Sequence, residues 1–245
     1  MALIEDYTRS GNWLFKYRTY LPLVLFVILV VALFFERNEI FEYTNIYWIM
    51  SCFIVSMIGY SVRVITIGTV PKGTSGKNTK RQIAEELNTS GIYSVVRHPL
   101  YLGNFLIWLG VILYSGIPWL IVLLVVLFAL YYERIMFAEE MFLRGKFGNK
   151  YIDWSIETPA FFPALGKWKK STLSFSTKNV LKRESHSLVN TIISFSAIDF
   201  IKNYFYTGNF TLNPIWIYAL LIGIVLFLIL RIIIKKTKLL EVEGR

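Results

Sequence analysis

Two polar segments of the 245-residue chain hold residue types at spacings that could do chemistry. The first runs Leu87-Asn88-Thr89-Ser90-Gly91-Ile92-Tyr93-Ser94-Val95-Val96-Arg97-His98-Pro99-Leu100-Tyr101-Leu102-Gly103. Proline fits the first turn of a helix, where its missing N–H costs nothing. A helix opening at Pro99 would gather the positive end of its dipole, its unpaired N–H groups and Arg97, which together suit a carboxylate or a phosphate. His98 and Tyr101 would share a face, and Gly103 would let something approach closely. The second segment is Glu139-Glu140-Met141-Phe142-Leu143, followed by Phe147-Gly148, Tyr151, Trp154, Pro159 and Pro163. One carboxylate there would favour a bound cation or a hydroxyl-rich ligand. A plainer reading stays open for both segments. Arg97, His98 and Tyr101 could be headgroup anchors at the start of a span, and Glu139 and Glu140 a solvated pair.

The elements that must position these residues follow from composition. The chain is 55% hydrophobic and 17% charged, with a net charge of +10. A soluble domain carries about 25% charged residues, so a water-soluble enzyme, a disordered chain and a disulfide-stapled secreted domain are all excluded. The lone Cys52 reads as a small buried hydrophobe. Apolar runs cover Leu21–Phe35, Ile46–Gly68, Leu100–Tyr114, Ile117–Tyr132 and Leu212–Ile234. A bilayer core of about 30 Å needs roughly 20 helical residues. The long runs meet that, and the central pair would continue as polar extensions beyond a tight turn at Ser115-Gly116-Ile117-Pro118. Leu188–Tyr206 mixes apolar residues with Asn190, Asp199 and Lys202, and could span or lie on the membrane surface.

Charge bias helps to decide. Basic residues crowd the N-terminus (Arg9, Lys16, Arg18), 69–99 (Lys72, Lys77, Lys80, Arg81, Arg97), 133–187 and the end (Arg231, Lys235, Lys236, Lys238). By the positive-inside rule both termini are cytoplasmic, which requires an even number of spans, so Leu188–Tyr206 is counted as the sixth. The fold class is therefore an all-α membrane protein, a polytopic bundle of five to six transmembrane helices with a cytoplasm-facing site. Its expected units are a first span over 1–45, a core over 46–163, a basic cytoplasmic linker over 164–187 and a helical hairpin over 188–245. No cleaved signal and no internal repeat are expected.

Other signals are weaker. Gly73–Thr79 has the wrong spacing for a phosphate-binding loop and reads as a flexible connector. Only His98 and His186 are present, without a Cys cluster, so no metal site is expected. Arg63 is a charge near one end of its run and is expected to snorkel to the headgroups. Nucleic acid is an unexpected partner, because the cations sit at span ends rather than on one folded face.

Gly-x-Tyr-x-x-x-Arg-His-Pro-x-Tyr-x-Gly at 91–103, a helical hairpin, Glu-Glu-x-x-Leu, and Phe-Gly-x-x-Tyr ending in spaced prolines together resemble the isoprenylcysteine carboxyl methyltransferase family. The wider group of that family includes phospholipid methyltransferases. The resemblance covers about 46–163, and the Arg-His-Pro element alone is shared with sterol reductases. It implies a membrane methyltransferase using S-adenosyl-L-methionine. The implied cofactor residues are Leu87, Asn88, Tyr93, His98, Pro99, Leu100, Tyr101 and Glu139. The cofactor's carboxylate suits the anion site at the helix start, its ribose and ammonium suit Glu139, and its adenine suits Tyr93 or Tyr101. Arg97 and Glu139 are the candidate catalytic residues, and Arg97 and Arg134 the candidates for an anionic substrate headgroup.

Three positions depart from the family pattern. Trp154 replaces a second Tyr, Glu157-Thr158-Pro159 replaces a basic residue before the proline, and Ile135, next to Arg134, stands where the family has an arginine. Prenylcysteine recognition is therefore less supported than the cofactor site, and residues 164–245 have no counterpart. Methyl transfer from a sulfonium to an anionic oxygen needs no general base, in keeping with a chain that lacks a Ser-His-Asp arrangement. Acceptors are thus expected among lipid phosphates and prenylcysteine carboxylates. The stretch Asn88–Asn104 with Tyr131-Tyr132-Glu133-Arg134 is similar to bacterial enzymes that methylate the 1-phosphate of lipid A, which would place the chain in a bacterial inner membrane. The alternatives are an NADPH-dependent sterol or enone reductase, against which the glutamate pair speaks, and a transporter or structural protein, which would carry polar residues in the middle of several spans.

Overall fold

The structure, a computed structural model, describes residues 2–36, 45–71 and 82–242. The loop at 73–79 lies outside the described residues. Eight α-helices follow in chain order among those described: α1 Leu3–Tyr17, α2 Leu21–Phe35, α3 Ile46–Thr69, α4 Pro99–Leu113, α5 Pro118–Phe147, α6 Asn149–Glu157, α7 Thr177–Thr207 and α8 Pro214–Lys236. Every apolar run of the sequence lies in a helix. The protein is an all-helical membrane protein, and α3, α5 and α8 are long and apolar enough to cross a bilayer. α2 and α4 are shorter apolar helices.

Helix ends follow local chemistry. Pro99, Pro118 and Pro214 open α4, α5 and α8. The side chains of Asn45 and Asn213 accept from the N–H groups of Tyr47 and Ile215 at 2.9 and 3.0 Å, satisfying donors that a helix start leaves free. Gly116 (φ +76°) turns α4 into α5, and Gly148 (φ +54°) separates α5 from α6.

Two expectations are changed. Only α5 continues as a polar extension, running 30 residues to Phe147; α4 stops at 15 residues because His98-Pro99 fixes its start. The doubtful Leu188–Tyr206 belongs to α7, a single helix of 31 residues. Its Asp199 and Lys202 are buried rather than facing outward. The same helix takes in 177–187, part of the basic segment between α6 and Leu188.

Packing is closest between α3 and α4. A Cβ on Gly59 would stand 2.5 Å from the carbonyl oxygen of Gly103, and one on Gly103 would stand 2.5 Å from Cγ of Arg63. The motif glycine at 103 thus lets α3 approach, a small-residue contact typical of membrane helices. α1 lies along the far end of α5, with Tyr7 edge-on to Phe137. α7 packs on α3 and α8, around a stacked pair of Phe195 and Trp216.

Candidate active site

The Gly116 turn brings α4 and α5 back side by side, so the start of α4 meets the polar end of α5. His98 is the N-cap of α4, and its backbone is held from outside the helix. Arg97 N donates to Pro159 O at 2.9 Å and His98 N to Ala160 O at 3.2 Å. Ala164 N donates to Val95 O at 2.9 Å. The proline-spaced segment after α6 therefore straps the Arg-His-Pro element in place.

Side chains from the two segments then interlock. His98 Nε2 lies 2.9 Å from Glu140 Oε1 and Nδ1 lies 3.6 Å from Glu139 Oε2. A ring with a carboxylate at each nitrogen is best satisfied as an imidazolium donating on both sides. Burial pulls the His98 pKa down, but the two carboxylates outweigh it and hold it above its ordinary value. The ring of Tyr101 stacks on His98 at 5.6 Å.

Arg97 is heavily committed. Its Nε donates to Glu140 Oε1 at 2.9 Å and one terminal nitrogen to Glu140 Oε2 at 3.3 Å. The other terminal nitrogen reaches the carbonyls of Ser155 and Thr158 at 2.6 and 3.1 Å. Four N–H directions of the guanidinium are thus spent on the protein, which makes Arg97 a positioning residue that ties α4, α5 and α6 together. Trp154, from α6, donates from Nε1 to Tyr93 O at 3.0 Å. Burial and the nearby Glu139 charge push the Tyr93 phenol above its ordinary pKa, so it stays neutral. Lys146, near the end of α5, holds the 82–88 segment through the carbonyl of Ala84.

These residues surround a cavity of about 730 Å³, within the range of small-molecule sites. Leu87, Asn88, Tyr93, Arg97, His98, Pro99, Leu100, Tyr101 and Glu139 all line it. Arg134 does not. Its guanidinium lies over the Tyr7 ring, 3.4 Å from the centroid, on the face of α5 that carries α1. Arg134, the sequence's candidate for a substrate headgroup, is thus not brought together with the other candidates at this cavity.

Several cavity residues were not read from the sequence. Arg63 does not snorkel; it lines the cavity and forms a two-pronged ion pair with Glu184, 2.8 Å at Nε and 2.8 Å at a terminal nitrogen. It also donates to Asn104 Oδ1 at 2.5 Å, and Asn104 Nδ2 in turn donates to Tyr132 OH at 3.1 Å. α1 contributes Phe15 and Arg18, and α7 contributes Asn179, Lys182, Arg183 and Glu184. The available signal was a lone Glu184 in a basic stretch, matching an arginine set in an apolar run. Among the described residues, no group of three or more His, Cys, Asp or Glu could hold a metal ion.

Residues 49–150 match the phospholipid methyltransferase family. The chain is 31% identical over 126 residues to the nickel-cobalt-cadmium resistance protein NccN of Alcaligenes xylosoxydans xylosoxydans, covering 51% of this chain and 56% of that one. It is 37% identical over 83 residues to the cobalt-zinc-cadmium resistance protein CzcN of Cupriavidus metallidurans, covering 34% and 38%. It is 33% identical over 123 residues to protein-S-isoprenylcysteine O-methyltransferase B of Arabidopsis thaliana, covering 48% and 61%. The chain thus spans less than two thirds of each of these relatives. No solved structure matches it significantly.

Proposed function

We propose that this chain, whose residues 49–150 are of the phospholipid methyltransferase family, is an integral-membrane O-methyltransferase that uses S-adenosyl-L-methionine and acts on an anionic lipid. One observation carries the reading. The eight residues that the family resemblance assigns to the cofactor come from 87–101 and from 139, and all of them line one cavity. The donor set fits the group. Glu139 would hold the ammonium or the ribose hydroxyls. Tyr93 and Tyr101 offer aromatic faces to adenine. The start of α4 would favour the carboxylate.

When bound, S-adenosyl-L-methionine supplies an electrophilic methyl group on a sulfonium. The chain's part is to position the acceptor in line and to keep water away. Both ring nitrogens of His98 face the carboxylates of Glu139 and Glu140, so neither is turned to an acceptor as a free proton-accepting site. A lipid amine, which must lose a proton, is therefore a worse acceptor than an anionic oxygen, whether a lipid phosphate such as the 1-phosphate of lipid A or a prenylcysteine carboxylate. In this reading the cavity and both termini face the cytosol, where the cofactor is made, and the acceptor arrives through the bilayer.

The test is to incubate membranes containing the protein with methyl-labelled cofactor and total lipid, and then to separate the products. Label in an anionic lipid, lost in Glu139→Ala, is expected. Absence of transfer to any lipid or prenylated acceptor would overturn the reading. NADPH oxidation with an enone instead would establish the reductase alternative.

A further inference from the structure

One chain of hydrogen bonds beside the cavity joins four helices. Glu184 of α7, whose side chain is 2% exposed, accepts from Nε and a terminal nitrogen of Arg63 on α3, each at 2.8 Å. The other terminal nitrogen of Arg63 donates to Asn104 Oδ1 on α4 at 2.5 Å. Asn104 Nδ2 then donates to Tyr132 OH on α5 at 3.1 Å. A guanidinium has donors only, so Arg63 forces Asn104 to present its oxygen, which turns the amide nitrogen to Tyr132. These two bonds use one N–H and one lone pair of the Asn104 amide and leave it a second of each. Arg63, Asn104 and Glu184 all line the cavity.

The three residues stand apart from the eight that the family resemblance assigns to the cofactor. Asn104 is five positions beyond Pro99, Arg63 six before the end of α3 at Thr69, and Glu184 seven beyond the start of α7 at Thr177. They therefore lie about 8–10 Å of helix inward from those ends, on the side where a membrane lipid would arrive. The arrangement needs two features that the proposed cofactor set does not use. Gly103 makes room for Arg63, because a Cβ there would stand 2.5 Å from Arg63 Cγ. α7, which begins after the family-matched residues 49–150, is fixed on the end of α3. Ser176 N donates to Gly68 O at 2.8 Å and Asn179 Nδ2 to Ile67 O at 2.7 Å.

We propose that Glu184 is a positioning residue for the methyl acceptor: through Arg63 it fixes the Asn104 amide, whose remaining N–H seats an oxygen of the acceptor headgroup. The acceptor role rests on the methyltransferase reading; the fixing of Asn104 does not. A plain staple between α3 and α7 makes a different prediction, because a staple is served by any well-packed or oppositely charged pair. Buried ion pairs can often be replaced by apolar side chains with little loss of stability.

The experiment uses the full chain in detergent and two double variants. Arg63→Met/Glu184→Met removes both charges. Arg63→Glu/Glu184→Arg keeps an ion pair between α3 and α7 but sets a carboxylate against Asn104, which reverses its amide. Thermal unfolding, affinity for S-adenosylhomocysteine, and transfer from methyl-labelled S-adenosyl-L-methionine to total lipid and to a prenylated peptide are measured. Both variants are expected to melt within a few degrees of wild type and to bind S-adenosylhomocysteine within about threefold of it. Transfer at saturating cofactor should fall about 100-fold in both, as a misplaced reactant does. In protein labelled with 15N-asparagine, the Asn104 side-chain amide should exchange slowly in wild type and fast in the methionine variant. Transfer near the wild-type rate in either variant would overturn the proposal, the swapped pair acting then as a staple. So would an Asn104 amide equally protected without the pair, or loss of S-adenosylhomocysteine binding in both variants. Wild type that transfers methyl to no acceptor, yet holds the Asn104 amide through Arg63, would instead bring down the methyltransferase reading and the acceptor role with it.

Discussion

Buried polar clusters sit at both ends of α4, and they differ in what their hydrogen bonds leave over. At the Gly116 end, Tyr114 OH donates to Asp199 Oδ1 at 2.5 Å and accepts from Trp216 Nε1 at 3.1 Å. Asp199 Oδ2 accepts from Asn213 N at 2.8 Å and from Asn203 Nδ2 at 3.1 Å. Lys202 Nζ donates to Tyr114 O at 3.0 Å and lies over the Tyr114 ring. A hollow of about 260 Å³ adjoins the cluster, but protein partners already occupy its polar groups. At the His98 end, Arg97, His98, Tyr101 and Glu139 line a much larger cavity. The first cluster ties the start of α8 and the end of α4 to the last third of α7. The second holds its members apart around a space. In a membrane protein, a charged residue in a helix marks function only when its valences are not used up inside.

The largest expected effect lies at the closed cluster. Asp199→Ala would orphan the Tyr114 hydroxyl and the Asn213 N–H and leave Lys202 without its neighbouring carboxylate. It is expected to cost roughly 3–5 kcal/mol of stability, as breaking a buried charged network does. Thermal unfolding in detergent measures this, and a loss as small as that from an exposed mutation would erase the distinction between the two clusters.

A pH series separates the clusters next. The carboxylates hold the pKa of His98 above its ordinary value of 6.5. The stability it contributes is therefore fully present below that ordinary value and is lost as pH rises through the raised one. The melting temperature of wild type minus that of His98→Gln should fall across this window, while the difference for Trp216→Phe should stay flat. A His98 difference that rises with pH would mean the ring is buried neutral. The smallest effect is expected at Trp154→Phe, which removes one hydrogen bond to Tyr93 O. It should cost about 1 kcal/mol, and a much larger loss would give α6 a deeper role in the cavity than strapping.

How much of this was legible in the sequence depends on distance along the chain. The apolar helices α2, α3, α4, α5 and α8 were, because each rests on its own apolar run, whereas α1 and α6 carry no such run and were not read. The meeting of His98 with the glutamate pair was also legible, because a single hairpin joins them. Arg63 was misread because its partner, Glu184, lies 121 positions away, and a lone arginine near a span end looks the same whether it snorkels or pairs. Leu188–Tyr206 looked doubtful for a related reason. Asp199 and Lys202 are costly in a span unless Tyr114 and Asn213 satisfy them, and no local pattern announces those partners. The direction of Arg134 was not legible, because two adjacent helix positions point about 100° apart and only the packing of α1 turns it to Tyr7.

The central claim is that the cavity between α4, α5 and α7 is a cofactor site, and equilibrium dialysis of labelled S-adenosyl-L-methionine against the purified protein tests it most directly. Saturable binding is predicted for wild type and for Asn203→Ala at the closed cluster, with loss of about 100-fold or more in affinity for Glu139→Ala, whose charge-assisted bonds to the ligand would be gone. Wild type that binds no cofactor, or Glu139→Ala that binds it as wild type does, would contradict the account.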